Sequence, residues 1–339
     1  MKSSEAKTRE LAPLMQGLAE PADWERKSGE IRRKWLELMG GLPQREAVRY
    51  ERLSTTVEAS HTRHHIRYDA AYGDQVTAYL LIPHVNPYPA QGLPAVIALH
   101  PTANSGKDDI ALHSGRASRR YALELAERGY VVLAPDTITA GERKADGTEY
   151  FHTALFDEQY PEWSAVGKML SDHLHGVDLL CSLAEVDTEK IGAIGHSLGG
   201  YNGYFLAGMD SRVKAVAVSC GLSTIYGDAD SNRWGRRDWF THLPKVTEMM
   251  NQGTISFDFH EIAALVAPAP FFCWIAQQDQ YMPHWQEIGQ AAEELKQLYE
   301  YLDVPDQFQA YIGTAKHDFP DEMRSLAYRF LDRWLRKTV

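Results

Sequence analysis

Apolar residues recur at helical spacing near the start of the chain: Trp24, Ile31, Trp35, Leu38 and Met39 fall on one face before Gly40, Gly41 and Pro43 end the pattern. The spacing predicts a helix within an N-terminal helical extension, residues 1–45, packed on the main body. Three β-rich stretches follow, at 47–56, 64–71 and 76–82, the last two parted by Gly73 and Asp74 and alternating with period two. They predict antiparallel strands that open a sheet. From residue 95 short apolar runs alternate with longer amphipathic segments: AVIAL, YALELAERGY, VVLAP, a helix near 164–186, then IGAIG. Such alternation means parallel strands joined by right-handed helical crossovers. VKAVAVS, PFFCWIA and QFQAYIG continue it, each apolar enough to be buried on both faces. The fold class is therefore α/β, a mostly parallel central sheet with helices on both faces, occupying residues 46–339. Residues 221–258 break the rhythm and are expected as an irregular insertion over the carboxyl edge of the sheet.

Composition adds exclusions. With 339 residues, 44% hydrophobic and 24% charged, the chain can cover both faces of a large sheet. A net charge of −11 without a basic block opposes binding to nucleic-acid phosphates or anionic lipid. No apolar run is long enough to span a membrane and the first residues lack a secretory core, which points to the cytoplasm. Cys181, Cys220 and Cys273 are odd in number, form no CxxC pair, and read as buried free thiols.

The chemistry begins at Gly195-His196-Ser197-Leu198-Gly199-Gly200, a G-x-S-x-G pattern between the strand-like IGAI and the small-residue helix SLGGYNGYFLAG. Chance supplies roughly 0.1 such matches in a chain of this length, so the strand–turn–helix setting carries the argument. A serine hydroxyl needs a base, and the base an orienting acid, in the order serine, acid, histidine. Asp279 follows the strand PFFCWIA in the loop QQDQYMP, and His317 follows the last strand in TAKHDFP. Taken singly, Asp279 reads as a helix cap and His317 as a solvated loop residue. Taken in order they read as a triad, with Asp318 and Asp303 as less well-placed acids. Oxyanion donors are expected at the Leu198 amide and, because Pro101 has no N–H, at the Thr102 amide. Gly106-Lys107 only superficially suggests a phosphate loop, since Pro101 and Asp108 occupy key positions of that motif.

GHSLGG, QQDQYMP and KHDFP together resemble the α/β-hydrolase superfamily. HPTANSGK, LAPDTITAGER, EVDTEKIGAIGHSLGG and FDFHEIAALVAPAPFF are similar to bacterial dienelactone-hydrolase-like and acetyl-xylan-esterase-like proteins. The resemblance implies cleavage of carboxylic esters, of a small acyl or acetyl class, by a serine esterase. Dienelactone hydrolases proper carry a cysteine nucleophile, so Ser197 favours the esterase branch, and His100-Pro101 replaces the usual His-Gly of the oxyanion loop. His100, Tyr226, Trp234 and Trp239 are the candidate substrate-binding residues; the three aromatics serve equally well as core.

No metal and no organic cofactor is expected. His61, His64 and His65 lie in a polar stretch without clustered carboxylates or cysteines, and read as solvated. His173 and His175 fall on different faces of one helix. Glu142 and Arg143 are expected to pair with each other at the site's rim. The partner is a small-molecule ester; a homo-oligomer stays open. Two other readings remain: an oligopeptidase-like amidase with the same triad, and a non-catalytic ligand-binding protein on the same fold.

Overall fold

The computed structural model describes residues 11–230 and 232–336. Its sheet has nine strands: β1 (Tyr50–Val57), β2 (His61–Asp69), β3 (Gln75–Pro83), β4 (Leu93–Leu99), β5 (Val131–Pro135), β6 (Val186–His196), β7 (Val213–Ser219), β8 (Phe271–Ala276) and β9 (Phe308–Gly313). Their spatial order is β1-β2-β3-β5-β4-β6-β7-β8-β9. β1, β2, β3 and β5 pair antiparallel in turn, and every later pair is parallel.

This order fixes where chemistry can occur. The chain leaves β4, adds β5 on one side, then returns to add β6 on the other. The loops after β4 and β6 therefore diverge, opening a crevice at the strands' carboxyl ends. Val, Ala and Ile fill β4 to β7 because these strands are covered on both faces. One face packs on helices Tyr121–Glu127 and Asp321–Leu335, through Tyr121, Leu125, Phe330 and Leu331. The other carries Ala165–Ser182, Leu198–Met209 and Trp285–Tyr301.

The N-terminal helix spans Pro21–Met39, opens with a Glu20/Asp23 capping box and proline in its first turn, and ends at Gly40 in the left-handed region (φ 87°). Only glycine fits there, because a Cβ would strike the backbone of Glu162 and Trp163. Trp35 is fully buried with its ring 4.6 Å from Phe205, so the helix shares the core of the sheet.

Three expectations change. β9 is an edge strand with alternating exposure, Ile312 being 45% exposed, because nothing pairs beyond it. The stretch 221–258 is not wholly irregular and contains the helix Pro244–Gln252. His61 and His64 are buried on β2, where Thr55 bonds His64 and Ser60 bonds His61, so neither is solvated.

Candidate active site

Ser197 stands between β6 and helix Leu198–Met209 with φ 56° and ψ −120°. A non-glycine residue there carries about 1–3 kcal/mol of strain and persists only where its surroundings impose it. Here the Ser197 amide donates to Ser219 O (2.8 Å), its carbonyl accepts from Tyr201 N (3.0 Å), and His196 Nδ1 meets Ser219 Oγ at 2.8 Å. The flanking glycines have steric reasons. A Cβ on Gly195 would land on the Gly199 carbonyl, and one on Gly199 on the Leu99 carbonyl at the end of β4. Gly199→Ala is therefore expected to lower unfolding free energy by about 1–3 kcal/mol in urea titration, with kcat falling as the turn shifts; unchanged values of both would remove this account of the motif.

Asp279 and His317 meet. Asp279, 4% exposed in the loop after β8, approaches His317 Nδ1 with Oδ2 at 2.6 Å. Its other oxygen accepts the amides of Tyr281 (2.8 Å) and Met282 (3.0 Å). Burial alone would raise the Asp279 carboxyl, but the His317 contact and these two amides outweigh it and hold the group below its usual value. An ionised carboxylate only accepts, so His317 donates to it from Nδ1. The His317 loop is pinned from several sides: Arg119 donates to His317 O (3.0 Å) and to Asp318 Oδ1 (2.5 Å), and Trp274 Nε1 donates to Asp318 O (3.0 Å). Asp318 is thereby committed to Arg119.

Ser197, Leu198, Pro101, Thr102 and His317 line one cavity of about 470 Å³. Leu198 opens its helix, so its amide has no acceptor one turn earlier. Among the described residues no protein group takes the Thr102 or Leu198 amide, or the Ser197 hydroxyl. Trp234 and Trp239 are on the cavity wall, brought there by the 221–258 segment.

Two candidate binding residues are not on that wall. His100 is fully buried behind it, with Nδ1 2.7 Å from Pro101 O and Nε2 accepting the Thr137 amide at 3.0 Å, so it braces the loops after β4 and β5. Tyr226 lies outside the cavity, its amide held by Asp258. Glu142 and Arg143 do not pair together: Glu142 meets Lys107 and His65, whereas Arg143 bridges Asp74 and Asp172. His173 and His175 are buried in the helix Ala165–Ser182.

The structure adds what the sequence reading passed over. Among the described residues four arginines, Arg116, Arg119, Arg233 and Arg237, line the cavity, and no Asp or Glu does. Each is backed by an aspartate, Asp109, Asp318, Asp228 and Asp230 respectively. The Arg119 Nε and Trp234 Nε1 are buried donors with no partner. A hint existed in the run GRASRR before the helix Tyr121–Glu127, although nothing local separates it from a solvated basic turn. Candidate ligand atoms of Cys220, Asp279 and His317 lie within 4.8 Å of one another. Burial pushes the Cys220 thiol up to about 12.

Among the described residues no helix is long and apolar enough to cross a membrane. The chain is 24% identical to YtaP of Bacillus subtilis (strain 168) over 311 residues, covering 90% of this chain and 99% of that one. In three dimensions it resembles a glucuronoyl esterase from Solibacter usitatus (TM-score 0.74, 17% identity, 97% of this chain and 99% of that one). It also resembles an acetyl xylan esterase from Paenibacillus sp. R4 (TM-score 0.61, 19% identity, 96% and 100%). The Dienelactone hydrolase family profile matches residues 112–333, which include Ser197, Asp279 and His317. The chain belongs to the dienelactone hydrolase family of the α/β-hydrolase superfamily and is a carboxylic-ester hydrolase.

Proposed function

We propose that the protein is a serine esterase acting through an acyl-enzyme intermediate, with Ser197 as nucleophile, His317 as base and Asp279 as orienting acid. The observation that carries this reading is the 2.6 Å contact between His317 and a buried Asp279, on the cavity that also holds the strained Ser197. His317 Nε2 takes the hydroxyl proton as Ser197 Oγ attacks the ester carbonyl. The Leu198 and Thr102 amides receive the developing oxyanion, each contributing about 3–4 kcal/mol at the transition state. His317 then protonates the leaving alcohol, and the same histidine activates the water that releases the acid. The imidazolium formed midway is stabilised by Asp279, which its environment keeps ionised.

The substrate class follows from the walls. Trp234 and Trp239 offer apolar faces, and the four arginines favour an ester that carries a negative charge near its scissile bond. Small acyl esters of sugars or uronates fit such a cavity, in keeping with the names of the structural relatives. Three free cysteines, two of them buried, accord with a cytoplasmic setting.

A fluorophosphonate probe should label Ser197 and block turnover of acetyl esters, whereas an unlabelled serine would leave a binding protein on this fold. Across matched pairs, an anionic ester should exceed its neutral analogue by about tenfold in kcat/KM at low salt, and the gap should narrow at about 1 M salt. Equal rates at all salt concentrations would refute the charge preference alone.

A further inference from the structure

The catalytic cavity is not the largest in the molecule. A second one of about 690 Å³ lies beside β3 and the loop after β5, and it shares Tyr72, Gln159, Tyr160 and Trp163 with an adjoining recess of about 340 Å³ that reaches Gly40–Pro43. Together they form a long cleft divided by aromatic rings. Its near neighbour is the catalytic cavity: His152 lines the second cavity, Thr153 donates to Trp239 O (3.2 Å), and Trp239 lines the first. Phe151 and Trp239 meet edge to face at 6.5 Å, so residues 151–153 link the walls of the two cavities.

Tyr72 is the informative residue. It is 64% exposed, stacks on Tyr160 (5.4 Å, 24°) and meets Trp163 edge-on (5.4 Å, 80°). It is also held at φ 60° and ψ 29°, a left-handed conformation that costs an aromatic residue about 1–2 kcal/mol. Thr139, a β-branched residue on the same cavity, sits at φ 63°. Strain of this kind clusters where a surface is shaped for a ligand. The turn that presents Tyr72 is fixed: Ala70 N donates to Asp74 O (2.8 Å), and Asp74 is gripped by Arg143 and Lys168 (2.6 Å). An exposed ring backed by two others is a rigid platform.

Charge decides the ligand class. Asp74 and Glu142 themselves line this cavity; Arg143 and Lys168 share Asp74 and Asp172, Arg67 holds Glu51, and Lys144 donates to the Ala145 and Thr148 carbonyls. A phosphate or carboxylate would meet those two lining carboxylates here, whereas among the described residues none lines the catalytic cavity. A neutral polyol is not repelled, and paired carboxylates and Lys144, His152 and Gln159 still offer donors and acceptors to hydroxyls. We propose that this cleft is a glycan subsite that binds a neutral oligosaccharide against Tyr72 and Tyr160, beside the catalytic cavity. The subsite holds the chain of a decorated oligosaccharide and does not depend on the chemistry of Ser197.

Calorimetric titration of the Ser197→Ala protein with xylohexaose and with cellohexaose tests this without turnover. Saturable binding of at least one hexasaccharide is expected, weakened about tenfold by Tyr72→Ala, kept within twofold by Tyr72→Phe, and little altered by Trp239→Ala across the wall. Tyr72 is exposed, so its removal leaves the core intact, and an unchanged melting temperature verifies this. Absence of binding by both hexasaccharides at about 10 mM, or binding indifferent to Tyr72→Ala, would overturn the proposal. Hexasaccharide binding by a parent protein that turns over no ester would count against the esterase reading alone.

Discussion

Ser197→Ala is expected to lower kcat/KM for any ester the protein accepts by about 10⁴- to 10⁶-fold, with the melting temperature within a few degrees of the parent. The size follows from how the parts depend on one another. His317 has no proton to take once the hydroxyl is gone, and the charge on Asp279 then orients a base without a nucleophile. What survives is binding and the two oxyanion amides, which still polarise a carbonyl for attack by water. The turn should survive as well, because its conformation is imposed by the Ser219 and Tyr201 backbone bonds and by the glycines around it, none of which uses the Ser197 side chain. Pre-steady-state kinetics adds a sharper reading: the parent should show a burst of alcohol release equal to enzyme, and the variant none. A variant retaining more than about 1% of parent turnover would mean that another group starts the reaction.

The serine was legible because three kinds of local pattern agreed there. A buried strand, a serine among glycines and a small-residue helix each constrain the same few positions, and the structure shows the constraint to be contact between the backbones of Gly195, Gly199 and Leu99. The meeting of Asp279 and His317 was legible from their order along the chain, since parallel strands deliver successive loops to one edge. Most of the sheet could be read in the same way, because apolar runs mark strands covered twice. β9 misled for a physical reason: QFQAYIG is apolar enough for a centre but lies at an edge, and burial depends on what comes next in space.

Residues whose role depends on a distant partner could not be read. His100 follows β4 as a binding residue would, yet the Thr137 amide and the Pro101 carbonyl claim both its nitrogens. Arg119 and Arg237 reach one cavity from segments more than a hundred positions apart, and each looks like an ordinary surface cation in its own segment. The expected Glu142–Arg143 pair failed because each side chain found a buried partner of its own, Lys107 for Glu142 and Asp172 for Arg143. Proximity in sequence says little about ion pairs once strands bring other charges closer.

Gly106-Lys107, set aside as an imperfect phosphate loop, gives the largest expected loss of stability. Lys107 and Asp136 are both buried to within 1% exposure, with Nζ 2.7 Å from Oδ2. The Lys107 amide (2.8 Å) and Thr77 Oγ1 (2.8 Å) also donate to that carboxylate, Glu142 contacts the ammonium, and the Tyr79 ring lies 4.9 Å from it. Lys107→Met leaves the carboxylate in place without its cation, which is expected to reduce unfolding free energy by about 3–5 kcal/mol in urea titration. Adding Asp136→Asn should restore most of the loss, since the remaining pair is neutral, and near-additive single effects would refute the coupling. Burial pulls the Lys107 ammonium down, but Asp136 and Glu142 more than compensate and hold it above its ordinary 10.5. A raised value in the folded state means that the stabilisation is complete below the unfolded value and is lost only as pH rises through the folded one. The Lys107 contribution to the parent's stability should therefore hold across neutral pH and fall only above about pH 10.5. Lys107 does not line the catalytic cavity, so the folded fraction of Lys107→Met at low temperature should retain most of its ester turnover. That result would place the pair's role in holding the loops after β4 and β5 together, and not in the reaction those loops frame.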